Sequence, residues 1–328
     1  MHKQPTTMSE ADAFIRECAP WADSHRRFLS DLLAIPPLFQ EPLSNHTTMR
    51  VGGPAEALVT VADIMELRTL MEYIETRRLR HFVLGKGGNT LFTSRGFCGI
   101  VIRLGRTFDA CDIHENKVSA GGALSLPSLA RQTAAQGLTG LEFACGIPGL
   151  VGGSLVGNAG TGSESLSDHL VFIDLLDRKN EIRRLTREEV GFSYRHSNLT
   201  AVSSVVLRAH FRLRQSHPQA TRQRISSLTE YRGETQPLKF PSAGCIFKNP
   251  VPRKNGDSPR SAGALIEGAG MKGVTVGGAE VSRIHANFIV NRGHATSDDV
   301  QELIRQVHAR VRERFGVSLE LEVRIVEA

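Results

Sequence analysis

Glycines gathered in two clusters mark where this chain could hold an anion. The first cluster, Gly85-Lys86-Gly87-Gly88-Asn89-Thr90, follows the apolar run Phe82-Val83-Leu84. Adjacent glycines let backbone N–H groups come close to a phosphate, as in an anion nest. A G-x-G-x-x-G dinucleotide fingerprint would need glycine where Thr90 stands, and a helix after it. A Walker-type phosphate loop would end in Gly-Lys-Ser/Thr, which is absent. On these residues alone the segment is an anion nest or a tight strand connection. The second cluster spans 146–162 and holds Gly146, Gly149, Gly152, Gly153, Gly157, Gly160 and Gly162. So many glycines argue against a stable helix or an ordinary strand. The chain there must pass close to another backbone or to a flat, phosphate-bearing ligand. Two such loops in one chain favour a dinucleotide lying across both.

Three other segments carry reactive groups. In Tyr194-Arg195-His196-Ser197 a guanidinium beside an aromatic could clamp a carboxylate through two parallel hydrogen bonds, although an exposed arginine is the commoner use. The run PSAGCIFKNP over 241–250 places Cys245 between a glycine and an apolar pair, where a thiol more often packs as a small hydrophobe. Near the C-terminus Glu320, Glu322 and Arg324 alternate with Leu319, Leu321, Val323 and Ile325, the pattern of a strand with one solvated face. Histidines are scattered without paired-ligand spacing, so no metal site is expected.

The elements that must position these groups read as mixed α and β. Residues 57–61, 82–84 and 99–102 have the apolar runs of strands. A helix is expected after Asp63, with Asp63 as N-cap, Glu66 in a capping-box position, and Ile64, Leu67, Leu70, Met71 and Ile74 on its apolar face. A second helix covers about 126–136, between Pro127 and Gly137. Strand-like runs recur at 171–176 and 201–213, and the polar stretch 214–234 reads as a connection. Val300, Leu303, Ile304, Val307 and Val311 recur at helical spacing up to a stop at Gly316, and Val317 to Ile325 then alternate as a strand. Residues 1–40 read as an amphipathic helical extension carrying Phe14, Ile15, Phe28, Leu29, Leu32 and Leu33.

The 328 residues suffice for two or three domains. A net charge of +6 is spread along the chain without aromatic-interleaved basic stripes, which argues against nucleic acid and suits anionic small molecules. Five cysteines without a CxxC pair disfavour a disulfide framework or zinc and favour a reduced, cytoplasmic compartment. No secretory h-region and no run of about 18 apolar residues is present, so no membrane association is expected.

Taken together and in order, the motifs resemble the UDP-N-acetylenolpyruvoylglucosamine reductase family. The matching stretches are 45–55 (NHTTMRVGGPA), 84–91 (LGKGGNTL), 140–160 (GLEFACGIPGLVGGSLVGNAG), 191–197 (GFSYRHS), 242–250 (SAGCIFKNP), 262–291 and 319–324 (LELEVR). The resemblance implies an α+β fold: a two-subdomain FAD-binding module of the PCMH/vanillyl-alcohol-oxidase-like kind, plus a C-terminal α+β substrate domain. The expected divisions are 1–40, 41–106, 107–218 and 219–328. It further implies bound FAD, NADPH as co-substrate, and reduction of a UDP-sugar enolpyruvyl ether to a lactyl ether in peptidoglycan precursor synthesis. About 50 residues separate Arg195 from Cys245, as in the shorter subtype without an extra tyrosine-bearing loop. By position Arg195, Cys245 and Glu322 correspond to the family's catalytic residues, Cys245 standing where the proton donor is most often Ser. Gly85, Lys86, Gly87, Gly88, Asn89 and Thr90 would form one FAD loop; Gly149, Gly152, Gly153, Ser154, Asn158 and Ala159 would form the other. Tyr194, Lys248, Asn249 and His285 fall where substrate contacts are expected. Lys86, Gly88 and the 161–163 stretch (TGS) depart from the usual family residues. A thiol titrating near ~8.5 would be a stronger acid than a hydroxyl and would give the reaction an alkaline limb. The alternative reading is a flavin oxidase or dehydrogenase of the same fold acting on another substrate. The expected state is a monomer or weak homo-oligomer.

Overall fold

The computed structural model describes residues 21–162, 164–200, 204–250 and 260–328. Phe14, Ile15 and Cys18 lie outside them, as does Ser163. The extension's described part is the helix Asp23–Leu32, with Leu29 fully buried, followed by the strand Leu38–Pro42.

That strand edges a four-stranded sheet in the order Leu38–Pro42, Pro54–Val61, Phe97–Leu104, His81–Val83. The first pair is antiparallel and the other two are parallel. Ile100, Val101 and Ile102 are fully buried, as a parallel strand covered on both faces must be, and this is why they form an unbroken apolar run. The crossover helix Ile64–Arg77 buries Leu67, Leu70, Met71 and Ile74. Asp63 caps it by accepting from the Met65 and Glu66 amides. Glu66 does not close the box on Asp63: its carboxylate accepts from the Ala62 and Ala34 amides, tying the helix to the segment before the sheet.

A second, five-stranded antiparallel sheet runs Ile182–Thr186, Leu170–Leu176, Val205–Arg212, Lys117–Gly121, Cys111–His114. Its inner face packs Val118, Ala120, Ile173, Leu175, Ala209 and Phe211 against Leu126, Leu129, Ala130 and Leu155. Two expectations fail here. Residues 214–234 are not merely a connection: Pro218–Thr235 is a helix. Only Thr221 is fully inward, with Ile225 and Leu228 packed on the core, so its apolar stripe is too narrow to show as periodicity. The second glycine cluster also contains a helix, Val151–Val156, whose Val151 and Leu155 are fully buried. Core packing of these two side chains overrides the cost of Gly152 and Gly153.

The C-terminal part holds the antiparallel sheet Ser242–Cys245, Phe288–Asn291, Ala279–Val281, Thr275–Val276, covered by the helices Ala262–Gly268 and Ser297–Phe315. The last helix begins in a capping box, Thr296 with Asp299, and ends at Gly316 in the left-handed conformation, φ +65°. The alternating tail forms a strand only at Arg324–Val326, parallel to Thr90–Phe92. Its alternation reflects burial rather than a long ladder: Leu319 and Val323 enter the C-terminal core, and Val326 enters the core of the first sheet. The tail thus bridges two cores. Among the described residues no helix is long and apolar enough to cross a membrane, and no cluster of three or more His, Cys, Asp or Glu side chains could hold a metal. Cys111, Cys145 and Cys245 are free thiols.

Candidate active site

The fold brings the two glycine loops face to face. A Cβ on Gly88 would overlap the Pro148 carbonyl oxygen, and one on Gly85 would touch Leu150 at 3.6 Å. Gly87 has φ +62°, and a Cβ there would overlap the backbone at His46 and Thr47. Glycine at 87 and 88 is therefore required by the chain's own packing. Gly152 likewise abuts the Gly122 carbonyl, 3.2 Å from where its Cβ would stand. Gly153 and Gly157 are different: nothing in the chain lies within 4 Å of a Cβ at either. Packing accounts for the first set, and open space beside the helix Val151–Val156 accounts for the second.

Arg195, Glu322 and Cys245 come from three distant segments and converge. Arg195 Nε lies 2.8 Å from Glu322 Oε1, a contact ion pair. The N–H is not well aligned, since Nε is buried and donates to no acceptor. Arg195 Nη2 donates to the Gly160 carbonyl at 2.6 Å, and Nη1 to the Asn158 carbonyl at 3.4 Å. Arg195 itself has φ +53°, and its guanidinium carbon sits 5.3 Å from the Tyr194 ring centre. Glu322 is fixed through its backbone. Its amide donates to the Ile246 carbonyl at 2.8 Å, and Asn89 Nδ2 donates to its carbonyl at 3.0 Å. Asn89 thus joins the first glycine loop to the tail.

Electrostatics follow from burial. Removal from water pushes the Glu322 carboxyl up, and Arg195 and Lys248 oppose this without cancelling it. The Cys245 thiol is pushed up to about 12, first by burial and then by Glu322, with Arg195 and Arg232 pulling the other way. The thiol is therefore a neutral donor and not the readily ionised acid the sequence suggested.

The remaining expected residues divide by placement. The Asn158 side chain works inside the protein: Nδ2 donates to the Ser193 carbonyl at 3.0 Å, and Oδ1 accepts from the Ser167 amide at 3.3 Å. Ser154 is buried beside Gly149, its carbonyl accepting from the Ala159 amide at 2.8 Å. Lys86 is exposed, and Thr90 is buried at the start of its strand. Lys248 pairs with Glu320 at 2.6 Å. Asn249 caps the helix Ala262–Gly268 by accepting from the Ala262 amide, and the Asn249 amide donates to the Tyr194 hydroxyl at 3.4 Å. His285 faces that same helix instead, with Gly263 beside it and Lys272 and Glu267 as charged neighbours. Burial lowers its pKa. Sequence reasoning missed Asn89 as a link to Glu322, Asn287 beside the thiol, and Arg232. Arg232 could not be found because its helix carries no clear periodicity.

A family model described as the C-terminal domain of UDP-N-acetylenolpyruvoylglucosamine reductase matches residues 236–326, and one described as an FAD binding domain matches residues 55–186. The UDP-N-acetylenolpyruvoylglucosamine reductase of Heliobacterium modesticaldum is 42% identical over 287 residues, covering 88% of this chain and 90% of that protein. The Bacillus subtilis protein of the same name is 40% identical over 290 residues, covering 88% and 93%. The crystal structure of the Thermus caldophilus enzyme superposes with a TM-score of 0.74 at 36% identity, over 89% of this chain and 99% of that one.

Proposed function

This chain belongs to the UDP-N-acetylenolpyruvoylglucosamine reductase family, and from that premise we propose how its own residues carry out the family's reaction. It is an FAD-dependent oxidoreductase that uses NADPH to reduce UDP-N-acetylglucosamine enolpyruvate to UDP-N-acetylmuramate, a step of peptidoglycan precursor synthesis. The observation that carries the assignment of roles is the convergence of Arg195, Glu322 and Cys245 beside the facing glycine loops.

The loops fit a bound FAD. The open space at Gly153 and Gly157 is where a flat ligand can approach the backbone, and the Gly85 to Thr90 loop closes against residues 148–150. Contacts among Gly149, Ser154 and Ala159 shape the second loop, and Asn158 ties it to Ser193. FAD held between these loops would supply the hydride chemistry that links NADPH to the enolpyruvyl double bond.

Hydride addition to the outer vinyl carbon leaves negative charge conjugated with the substrate carboxylate. Arg195 remains protonated and is held against that charge by two backbone carbonyls, so it needs no reorganisation when the charge appears. Glu322 orients Arg195 through the contact at the Nε edge. Cys245 delivers its Sγ proton to the carbon that bears the carboxylate. We assign Tyr194, Lys248 and Asn249 to the UDP-sugar, and leave His285 to its packing against the helix Ala262–Gly268. A cytoplasmic location goes with this reading, since NADPH is a cytoplasmic reductant. The purified protein should be yellow, release its flavin on acid precipitation, and sustain many turnovers of NADPH only when UDP-N-acetylglucosamine enolpyruvate is present. A colourless protein, or NADPH oxidation indifferent to the sugar, would overturn the reading.

A further inference from the structure

The strand that carries Cys245 loses its partner just past the thiol. Ser242 stands opposite Val290 and Cys245 opposite Phe288, so the strand takes in one extra residue before Cys245. Gly244, at φ +76°, gives the chain the conformation for that bulge. The facing strand begins only at Phe288, because the chain before it turns: the Phe288 amide donates to the His285 carbonyl at 3.0 Å. The Ile246 amide still reaches the Asn287 carbonyl at 2.9 Å. Phe247 meets a side chain instead of a strand. A side-chain amide carries the donor and acceptor of a peptide unit. Asn287 Oδ1 accepts from the Phe247 amide at 3.0 Å, and Nδ2 donates to the Phe247 carbonyl at 2.8 Å. Both residues are buried, where unpaired backbone groups are costly. On the opposite edge the Ile246 carbonyl accepts from the Glu322 amide at 2.8 Å, and the Lys248 amide donates to the Glu320 carbonyl at 2.8 Å. Asn287 therefore grips from one side the dipeptide that the C-terminal tail grips from the other. Cys245 leads into that dipeptide, and Glu322 is anchored on it.

We propose that Asn287 is a positioning residue for the reaction: its side-chain amide replaces the missing strand and fixes where Cys245 stands relative to Glu322. The inference rests on the preceding reading of Cys245 as the proton donor. Cys245 sits between the bulge and the dipeptide, so its placement depends on the bonds at 246 and 247. The bond from Ile246 to the Asn287 backbone survives loss of the side chain; the two bonds to Phe247 do not. Proton delivery is steep in a displacement of about 1 Å. Reduction of the flavin by NADPH needs no proton from this strand and is indifferent to it.

Stopped-flow spectroscopy on the FAD-loaded protein separates the two half-reactions. Asn287→Ala should slow flavin reoxidation by UDP-N-acetylglucosamine enolpyruvate about 10–100-fold and leave flavin reduction by NADPH within about twofold. In a Cys245→Ala background the same substitution should cost less than about twofold, because the group it positions is gone. Asn287→Asp, of nearly the same shape, keeps the acceptor for the Phe247 amide and loses the donor to its carbonyl. It should show the same split at about 3–10-fold, and decides the matter if the Ala variant does not fold. A second readout needs neither sugar nor NADPH. Loosening the dipeptide lets water reach the thiol, so Cys245 in Asn287→Ala should react with iodoacetamide about 10-fold faster than in the wild type, with Cys111 and Cys145 unchanged. Equal slowing of both half-reactions overturns the proposal, as does an undiminished loss in the Cys245→Ala background, or unchanged Cys245 labelling. A wild-type flavin that the sugar fails to reoxidise would strike the function proposed above, and the labelling would then decide by itself whether Asn287 places the thiol.

Discussion

The thiol of Cys245 offers a quantitative test, because its environment and its proposed task pull in different directions. The structure raises its pKa from 9.0 to about 12, a penalty of about 4 kcal/mol on the thiolate. At about pH 8 an ordinary thiol of pKa 9.0 is roughly one-tenth ionised, whereas one at about 12 is ionised in about one molecule in 10⁴. Alkylation by iodoacetamide runs through the thiolate, so Cys245 should react about 10³-fold more slowly than a free cysteine at that pH, before any steric hindrance. Peptide mass spectrometry resolves its labelling from that of Cys111 and Cys145, with Cys245→Ser as background. The same argument removes the alkaline limb expected from the sequence: flavin reoxidation by the enolpyruvyl sugar should show no thiol ionisation below about pH 11. Cys245→Ser should share that flat profile and keep substantial activity, while Cys245→Ala should slow reoxidation severely. An alkaline limb centred between about pH 7.5 and 9.5 in the wild type, absent from the Ser variant, would refute the reasoning.

Arg195→Lys cannot keep both carbonyl contacts and the Glu322 contact, so stopped-flow measurements should show reoxidation slowed by about 10²–10³ with FAD content intact. Burial raises the Glu322 pKa, so the folded state binds this proton more tightly than the unfolded chain; the resulting stability is complete below about 4.5 and is lost as pH rises through the folded value. Glu322→Gln should therefore melt at the same temperature as the wild type or higher at pH 8, with the gap narrowing toward pH 5, even as turnover falls; a markedly lower melting temperature at pH 8 would contradict this. Gly153→Ala should stabilise the apoprotein by up to about 1 kcal/mol through helix propensity while weakening FAD binding, whereas Gly88→Ala should destabilise the apoprotein itself. Thermal melts of both, with and without FAD, measure the contrast.

What the sequence disclosed follows from how each feature is encoded. The helix Ser297–Phe315 was legible because its core contacts repeat at 300, 303, 304, 307 and 311 and its ends carry a capping box and Gly316. The parallel strands were legible because burial on both faces needs an unbroken apolar run. The helix Pro218–Thr235 was not, since it buries one narrow stripe and exposes the rest. The tail misled in the opposite way: its alternation arises from anchoring in two cores and not from a long strand. At the site, Arg195, Cys245 and Glu322 could be nominated by motif, but their contact depends on long-range pairing of 90–92 with 324–326. The glycines were legible as a need for close approach, though not as to what approaches: backbone at 87 and 88, open space at 153 and 157. Nor could spacing reveal that burial would dominate the Cys245 and Glu322 titrations.

The central claim is that one site passes hydride from NADPH to an enolpyruvyl UDP-sugar. Anaerobic mixing in two stages tests it most directly. NADPH is added in stoichiometric amount until the flavin absorbance bleaches, and the sugar is then added. The account predicts that UDP-N-acetylglucosamine enolpyruvate restores the absorbance at once, with one UDP-N-acetylmuramate formed per flavin, and that UDP-N-acetylglucosamine restores none. A flavin that stays bleached with the enolpyruvyl sugar, or that recovers equally with both sugars, would contradict the account.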